Sequence, residues 1–147
     1  MILQTNSVSN NYQIIDTYTA GIQLLGLEVK SLKSGRGSIK GSFVRVFTNG
    51  AWIEKMQIPP YQADNTVASY IPTRSRKLLL RKPELRKLTG KVAEKGLTVV
   101  PIELHNDNGR IVLKIALVRH LNKHDKREVI KKKDAAKEIA RTLKTLR

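Results

Sequence analysis

The chain has 147 residues, enough for one domain with a buried core, and its 28 Lys and Arg against 12 Asp and Glu give a formal charge of +16. It contains no cysteine, which excludes disulfides and thiolate metal sites, and no apolar run approaches the roughly 20 residues of a membrane span. So large a positive field draws polyanions, with nucleic acid the first candidate and an anionic membrane surface the second.

The charge is concentrated. Arg74 to Lys91 holds eight basic residues and one acid, Glu84, and Lys123 to Arg147 holds ten basic residues and four acids. Together these two segments carry 18 of the 28 positive charges, which points to a bipartite cationic surface.

In chain order, Met1 to Asn11 lacks the basic start and apolar core of a secretion signal, so it reads as a flexible N-terminus of a cytoplasmic protein. Asn11 to Thr19, rich in Tyr, Ile and Thr, reads as a strand that Gly21 breaks, and Ile22 to Glu28 as a second extended stretch. Glu28 to Ser34 suits a short helix closed by Gly35 and Gly37. Ser42 to Thr48 and Ala51 to Ile58 read as strands around Asn49-Gly50, a strong hairpin signal. Met56 is expected in the core; Trp52, Phe43 and Phe47, which lie in alternating strands, read as core more than as stacking platforms for RNA.

Pro59 to Pro72 reads as a loop, and Lys77 to Leu80 as a short strand or loop edge. Pro83 suits a first helical turn, and Leu85, Leu88 and Val92 fall on one face of a helix over Glu84 to Glu94, with Gly96 as its stop. Leu97 to Leu104 and Arg110 to Val118 form a second hairpin through Asn106 to Gly109. In it Val100, Ile102 and Leu104 share one face, as do Ile111, Leu113, Ile115 and Leu117. The pattern is mainly β: about six short strands with one or two helices, which suggests a small closed β-barrel, or else an open antiparallel sheet carrying a helix.

From His120 onward the character changes. Val129, Ala136, Ile139, Leu143 and Leu146 make a thin apolar stripe on an otherwise cationic surface. Such a stripe is too narrow to hold a helix in water, so a tail over 120–147 is expected to be disordered when free and helical on a polyanion.

Catalytic signatures are missing. The histidines His105, His120 and His124 show no zinc spacing, and there is no phosphate-cradling glycine loop, nucleophile elbow or paired carboxylate. A binding protein without cofactor or metal is therefore expected, not an enzyme. The basic residues around Leu78-Leu79-Leu80 read either as a solvated rim around a buried leucine strand or, as the eight-to-one charge ratio favours, as phosphate contacts. Glu28 reads either as a surface carboxylate or as an acceptor for base edges, and His124 either as a solvated loop residue or as a base-stacking imidazole.

Four blocks carry a family likeness. Ala20 to Lys33, AGIQLLGLEVKSLK, resembles the AGxxLxGxEVKSLR signature of the SsrA-binding protein family, also called small protein B. Pro72 to Leu80 is similar to its PxRxRKLLL run, and Gly90 to Pro101 to its GKVxEKGLTxVP block. Asp125 to Glu128 with Lys131 to Asp134 resembles its DKRExIKxRD tail. The resemblance implies an OB-like barrel over 12–119 and a disordered basic tail. It also implies an adaptor that binds the tRNA-like part of transfer-messenger RNA and brings it, with elongation factor Tu, to ribosomes stalled on truncated messages.

On that likeness the barrel's RNA contacts are Glu28, Lys30, Lys33, Arg74, Arg76, Lys77, Leu79 and Arg81. The ribosome contacts are His124, Asp125, Lys126, Arg127, Lys131, Lys132 and Lys133. A monomer away from membranes is expected. The chain departs from the family at Val118 to Asn122, where ARGKK is usual, at Ser9 to Tyr12, which lacks the usual basic box, and at Lys33, where an Arg is usual.

Overall fold

The computed structural model describes residues 1–8, 11–62, 68–94 and 96–121. The tail residues singled out above, His124 to Lys133, lie outside them. The elements run β1 (Ile2–Thr5), β2 (Tyr12–Ile22), α1 (Gly26–Lys33), β3 (Phe43–Phe47), β4 (Gly50–Glu54), β5 (Arg76–Leu79), α2 (Lys82–Val92), β6 (Leu97–Asp107) and β7 (Arg110–His120). All pairings are antiparallel, in the order β1-β6-β3-β4-β5-β2-β7, and β7 pairs back onto β6. That last pairing closes six strands into a ring, so the barrel reading holds over the open sheet. β1, in the stretch expected to be a flexible N-terminus, joins β6 as a seventh strand.

β7 is paired along nearly its whole length on both sides. It pairs with β2 from Tyr12↔His120 to Gly21↔Val112 and with β6 from Leu97↔Arg119 to Asp107↔Arg110. Ile111, Leu113, Ile115 and Leu117 are buried as expected, and Ala116 and Val118 with them. Ile111, Leu113, Ile115 and Leu117 meet Ile53, Met56, Leu78 and Leu104 in one core. Leu88 of α2 is fully buried against it, with Leu85 and Val92 at its margin.

Several boundaries differ from expectation, each for a local reason. Gly21 does not break β2. A side chain there would sit 3.2 Å from Arg110 Nη2 and 3.3 Å from Leu79 Cβ, so glycine lets the strand pass close to its neighbours. The stretch after Ile22 is not extended to Glu28, because α1 begins at Gly26. The Glu28 carboxylate accepts the Leu25 N–H at 2.8 Å, which satisfies a free donor at the helix start. At the other end Arg36 N–H donates to Ser31 O and Gly35 N–H to Leu32 O, with Gly35 at φ 87°, a glycine-closed helix terminus.

The two-residue turn between β3 and β4 is Thr48-Asn49, since Phe47 pairs with Gly50. β4 ends at Glu54 because Lys55 takes φ 62°. The second turn shrinks to Asn108-Gly109, both at positive φ, as a tight hairpin requires. A bulge between Pro101 and Glu103 changes which face of β6 points inward, so Val99, Pro101 and Leu104 are buried while Val100 and Ile102 are half-buried.

Trp52 and the phenylalanines are not core. On β4 the inward residues are Ala51 and Ile53, which leaves Trp52 on the outer face; Met56 is fully buried as expected.

Candidate nucleic-acid interface

The sequence contacts expected on the barrel fall into two groups. The first is buried. Glu28 and Arg76 have no exposed surface, and Arg74 covers them with its side chain 30% exposed. Arg74 forks onto the carboxylate, Nη2 to Oε1 at 2.5 Å and Nε to Oε2 at 3.1 Å. Arg76 Nε donates to Oε2 at 2.7 Å, and Tyr70 Oη lies 3.0 Å from the same oxygen.

The remaining Arg76 donors reach the carbonyls of Met56 (2.6 Å), Arg74 (3.1 Å) and Pro72 (2.9 Å). Every polar edge of the buried pair is therefore occupied, which is the condition under which buried charge is tolerated. Burial pushes the Glu28 carboxyl up, but hydrogen bonds from Arg74, the Leu25 N–H and Arg76, with the Arg76 charge, outweigh it and hold the pKa below 4.5. Burial and then the neighbouring carboxylate push the Tyr70 hydroxyl up, so it stays protonated and can donate.

The Glu28 oxygens are thus taken by Arg74, Arg76, Tyr70 and the Leu25 N–H, and both Glu28 and Arg76 are buried. Two cations against one carboxylate leave a net positive cluster whose open end is Arg74. Beside it Leu25, Leu27, Ser69, Tyr70 and Ile71 line a hollow of about 350 Å³ with Arg74, and Leu25 and Ile71 are 46% and 60% exposed. Tyr70 was not legible in the sequence, since its proline-rich loop has no periodicity to place it.

The second group is accessible. Lys30 and Lys33 lie exposed on the last turn of α1, where they also complement the negative end of the helix. On β5 the inward residues are Arg76 and Leu78, so Lys77 and Leu79 point outward, with Leu79 43% exposed beside Gly21. Arg81 is exposed at the start of α2, and Lys82, Arg86 and Lys87 continue the cationic surface along that helix. No group of His, Asp or Glu suited to a metal occurs among the described residues. No helix among them is long and apolar enough to cross a membrane.

A closed six-stranded ring with accessible cations on α1, β5 and α2 defines a small basic β-barrel protein. A family model described as SmpB protein matches residues 2–145. The SsrA-binding protein of Persephonella marina is 44% identical over 144 residues, covering 97% of this chain and 94% of its own. That of Thermosynechococcus vestitus is 41% identical over 133 residues, covering 90% and 88%. A solved structure described as "tmRNA-SmpB: a journey to the center of the bacterial ribosome" matches with a TM-score of 0.67 and 39% identity, covering 88% of this chain and 94% of that one. The chain belongs to the SmpB family.

Proposed function

We propose that this protein is an RNA-binding adaptor of ribosome rescue. It binds the tRNA-like part of transfer-messenger RNA and delivers it to stalled ribosomes for trans-translation. The observation that carries this reading is the match to SsrA-binding proteins along nearly the whole chain, barrel and C-terminal segment together.

The charge distribution supports it. The accessible cations Lys30, Lys33, Lys77 and Arg81, with the open edge of Arg74 and the apolar Leu79, take the folded RNA. Glu28 and Arg76 act as positioning residues: they fix Arg74 and the loop that carries Tyr70, and make no contact with RNA themselves. The C-terminal cations Lys126, Arg127, Lys131, Lys132 and Lys133, with His124 and Asp125, take ribosomal RNA. Elongation factor Tu is met through the charged RNA. The protein works in the cytoplasm as a monomer and performs no chemistry of its own.

Sequencing the RNA that co-purifies with the protein from cells tests this. One dominant tRNA-like species is expected. A broad RNA mixture, with the protein retained stoichiometrically on ribosomes through high salt, would replace this reading with a structural ribosomal subunit.

A further inference from the structure

Every phenylalanine and tryptophan of this chain stands on one outer face of the barrel. The sequence holds two Phe and one Trp. Phe43 and Phe47 alternate with inward Val44 on β3, and Trp52 lies between inward Ala51 and Ile53 on β4. Phe47 is 43% exposed. The core is filled by aliphatic side chains, Met56 and Tyr18, while Phe43 and Trp52 lie half-buried and Phe47 exposed on the outer face.

The rings are clustered, and each carries a cation. Phe47 and Trp52 meet edge to face with centroids 5.6 Å apart. The Arg45 guanidinium lies 5.3 Å from the Phe47 centroid, Lys77 Nζ 5.8 Å from that of Trp52, and Lys55 Nζ 5.9 Å from that of Phe43. Strand register produces this, because Trp52 is the direct cross-strand partner of Arg45 on one side and Lys77 on the other. Gly50 makes room: a side chain there would come within 3.1 Å of indole Cη2 and 3.3 Å of Lys77 Cε. The outward face of these three strands holds a single carboxylate, Glu54, whose oxygen accepts the Ser75 hydroxyl.

We infer that Trp52 and Phe47 form a stacking platform for an unpaired base of the bound RNA, with Arg45 and Lys77 moving from the rings to the phosphates on either side. This rests on the RNA-binding reading above and deepens it, since Lys77 belongs to both. Charge selects the occupant. A ring flanked on both sides by cations suits a nucleotide, which offers a π face between two anionic phosphates. An apolar peptide would leave those cations without anionic partners.

The single tryptophan makes the test direct, because indole emission reports on position 52 alone. The full chain is titrated with an RNA hairpin bearing an unpaired adenine loop and with a blunt duplex of the same stem, following filter retention and fluorescence together. The loop RNA is expected to quench the indole at saturation, and the duplex to be retained without quenching. Trp52→Leu should weaken the loop RNA about tenfold or more and the duplex less than about twofold, whereas Trp52→Phe should stay within about threefold of the parent. Loop RNA retained by the parent with unchanged emission overturns the platform and leaves the RNA-binding reading standing. Failure to retain either RNA removes that reading, and the platform with it.

Discussion

Arg76 Nε donates to Glu28 Oε2 at 2.7 Å across 48 positions of sequence, and neither side chain has exposed surface. The pair ties helix α1 to strand β5, and Glu28 also holds Tyr70 and Arg74 from the segment just before β5. Removing the charge of Glu28 leaves Arg76 buried without its counter-ion. Glu28→Gln should cost about 3–5 kcal/mol of folding stability, the usual penalty for breaking a buried pair. It should weaken RNA binding through misplacement of Arg74. Urea denaturation with filter binding checks both; a parent-like denaturation midpoint with lost affinity would make Glu28 a contact residue after all.

The same pair predicts an acid limit. The folded pKa of Glu28 is depressed below 4.5, so its contribution to stability is full above the unfolded value. It falls away as pH drops through the folded value. Urea midpoints should therefore be level near neutrality and decline below about pH 4.5. In Glu28→Gln the decline should be shallower. Parallel pH profiles of parent and variant would contradict the assignment.

Exposed cations should act through counterion release. Lys77→Ala and Arg81→Ala should each weaken RNA binding at low salt and reduce the slope of log affinity against log salt by about 0.7–0.9. Neither should shift the melting temperature much, since neither side chain is in the core. Binding indifferent to potassium chloride concentration would remove phosphate contact as the source of affinity.

Deleting the residues after Lys123 should leave affinity for the tRNA-like RNA near that of the full chain and abolish peptide tagging on stalled ribosomes. An in vitro translation assay on a truncated message measures the second outcome. Tagging by the shortened protein would show that the barrel alone suffices.

Gly37 has φ 86°, and a methyl group there would lie 2.9 Å from Leu32 Cδ2 and 3.0 Å from Gln57 O. Gly37→Ala combines backbone strain with collision, so it should lower stability by more than about 1 kcal/mol. Gly90, in α2 with open space around it, should gain about 0.5–1 kcal/mol on the same change. Thermal melts of both variants test the contrast.

The sequence shows the barrel best where the pattern is local and strong. The near-continuous apolar run from Ile111 to Val118 and the Leu85, Leu88 and Val92 spacing yield β7 and α2 within a few residues. The site is harder to read. Nothing near Glu28 signals that residues 42 to 48 positions away enclose it, because a long-range ion pair leaves no periodic trace. Trp52 misleads for a different reason: hydrophobicity suggests the core, and only the phase of Ala51 and Ile53 turns it outward. The bulge at Pro101 defeats simple alternation in the same way, by inserting half a period.

One anchoring detail has a mechanical meaning. The last described residue, Leu121, is buried at 6% exposure, its N–H donates to Asn11 O at 2.7 Å, and His120 N–H donates to Gly96 O at 3.0 Å. A pull on the chain beyond this point runs along β7, which is hydrogen-bonded down both flanks to β2 and β6. The load is shared in shear by many bonds at once, instead of peeling them one after another. The carboxyl end of the barrel is thus fastened on both flanks at once, by β2 and by β6.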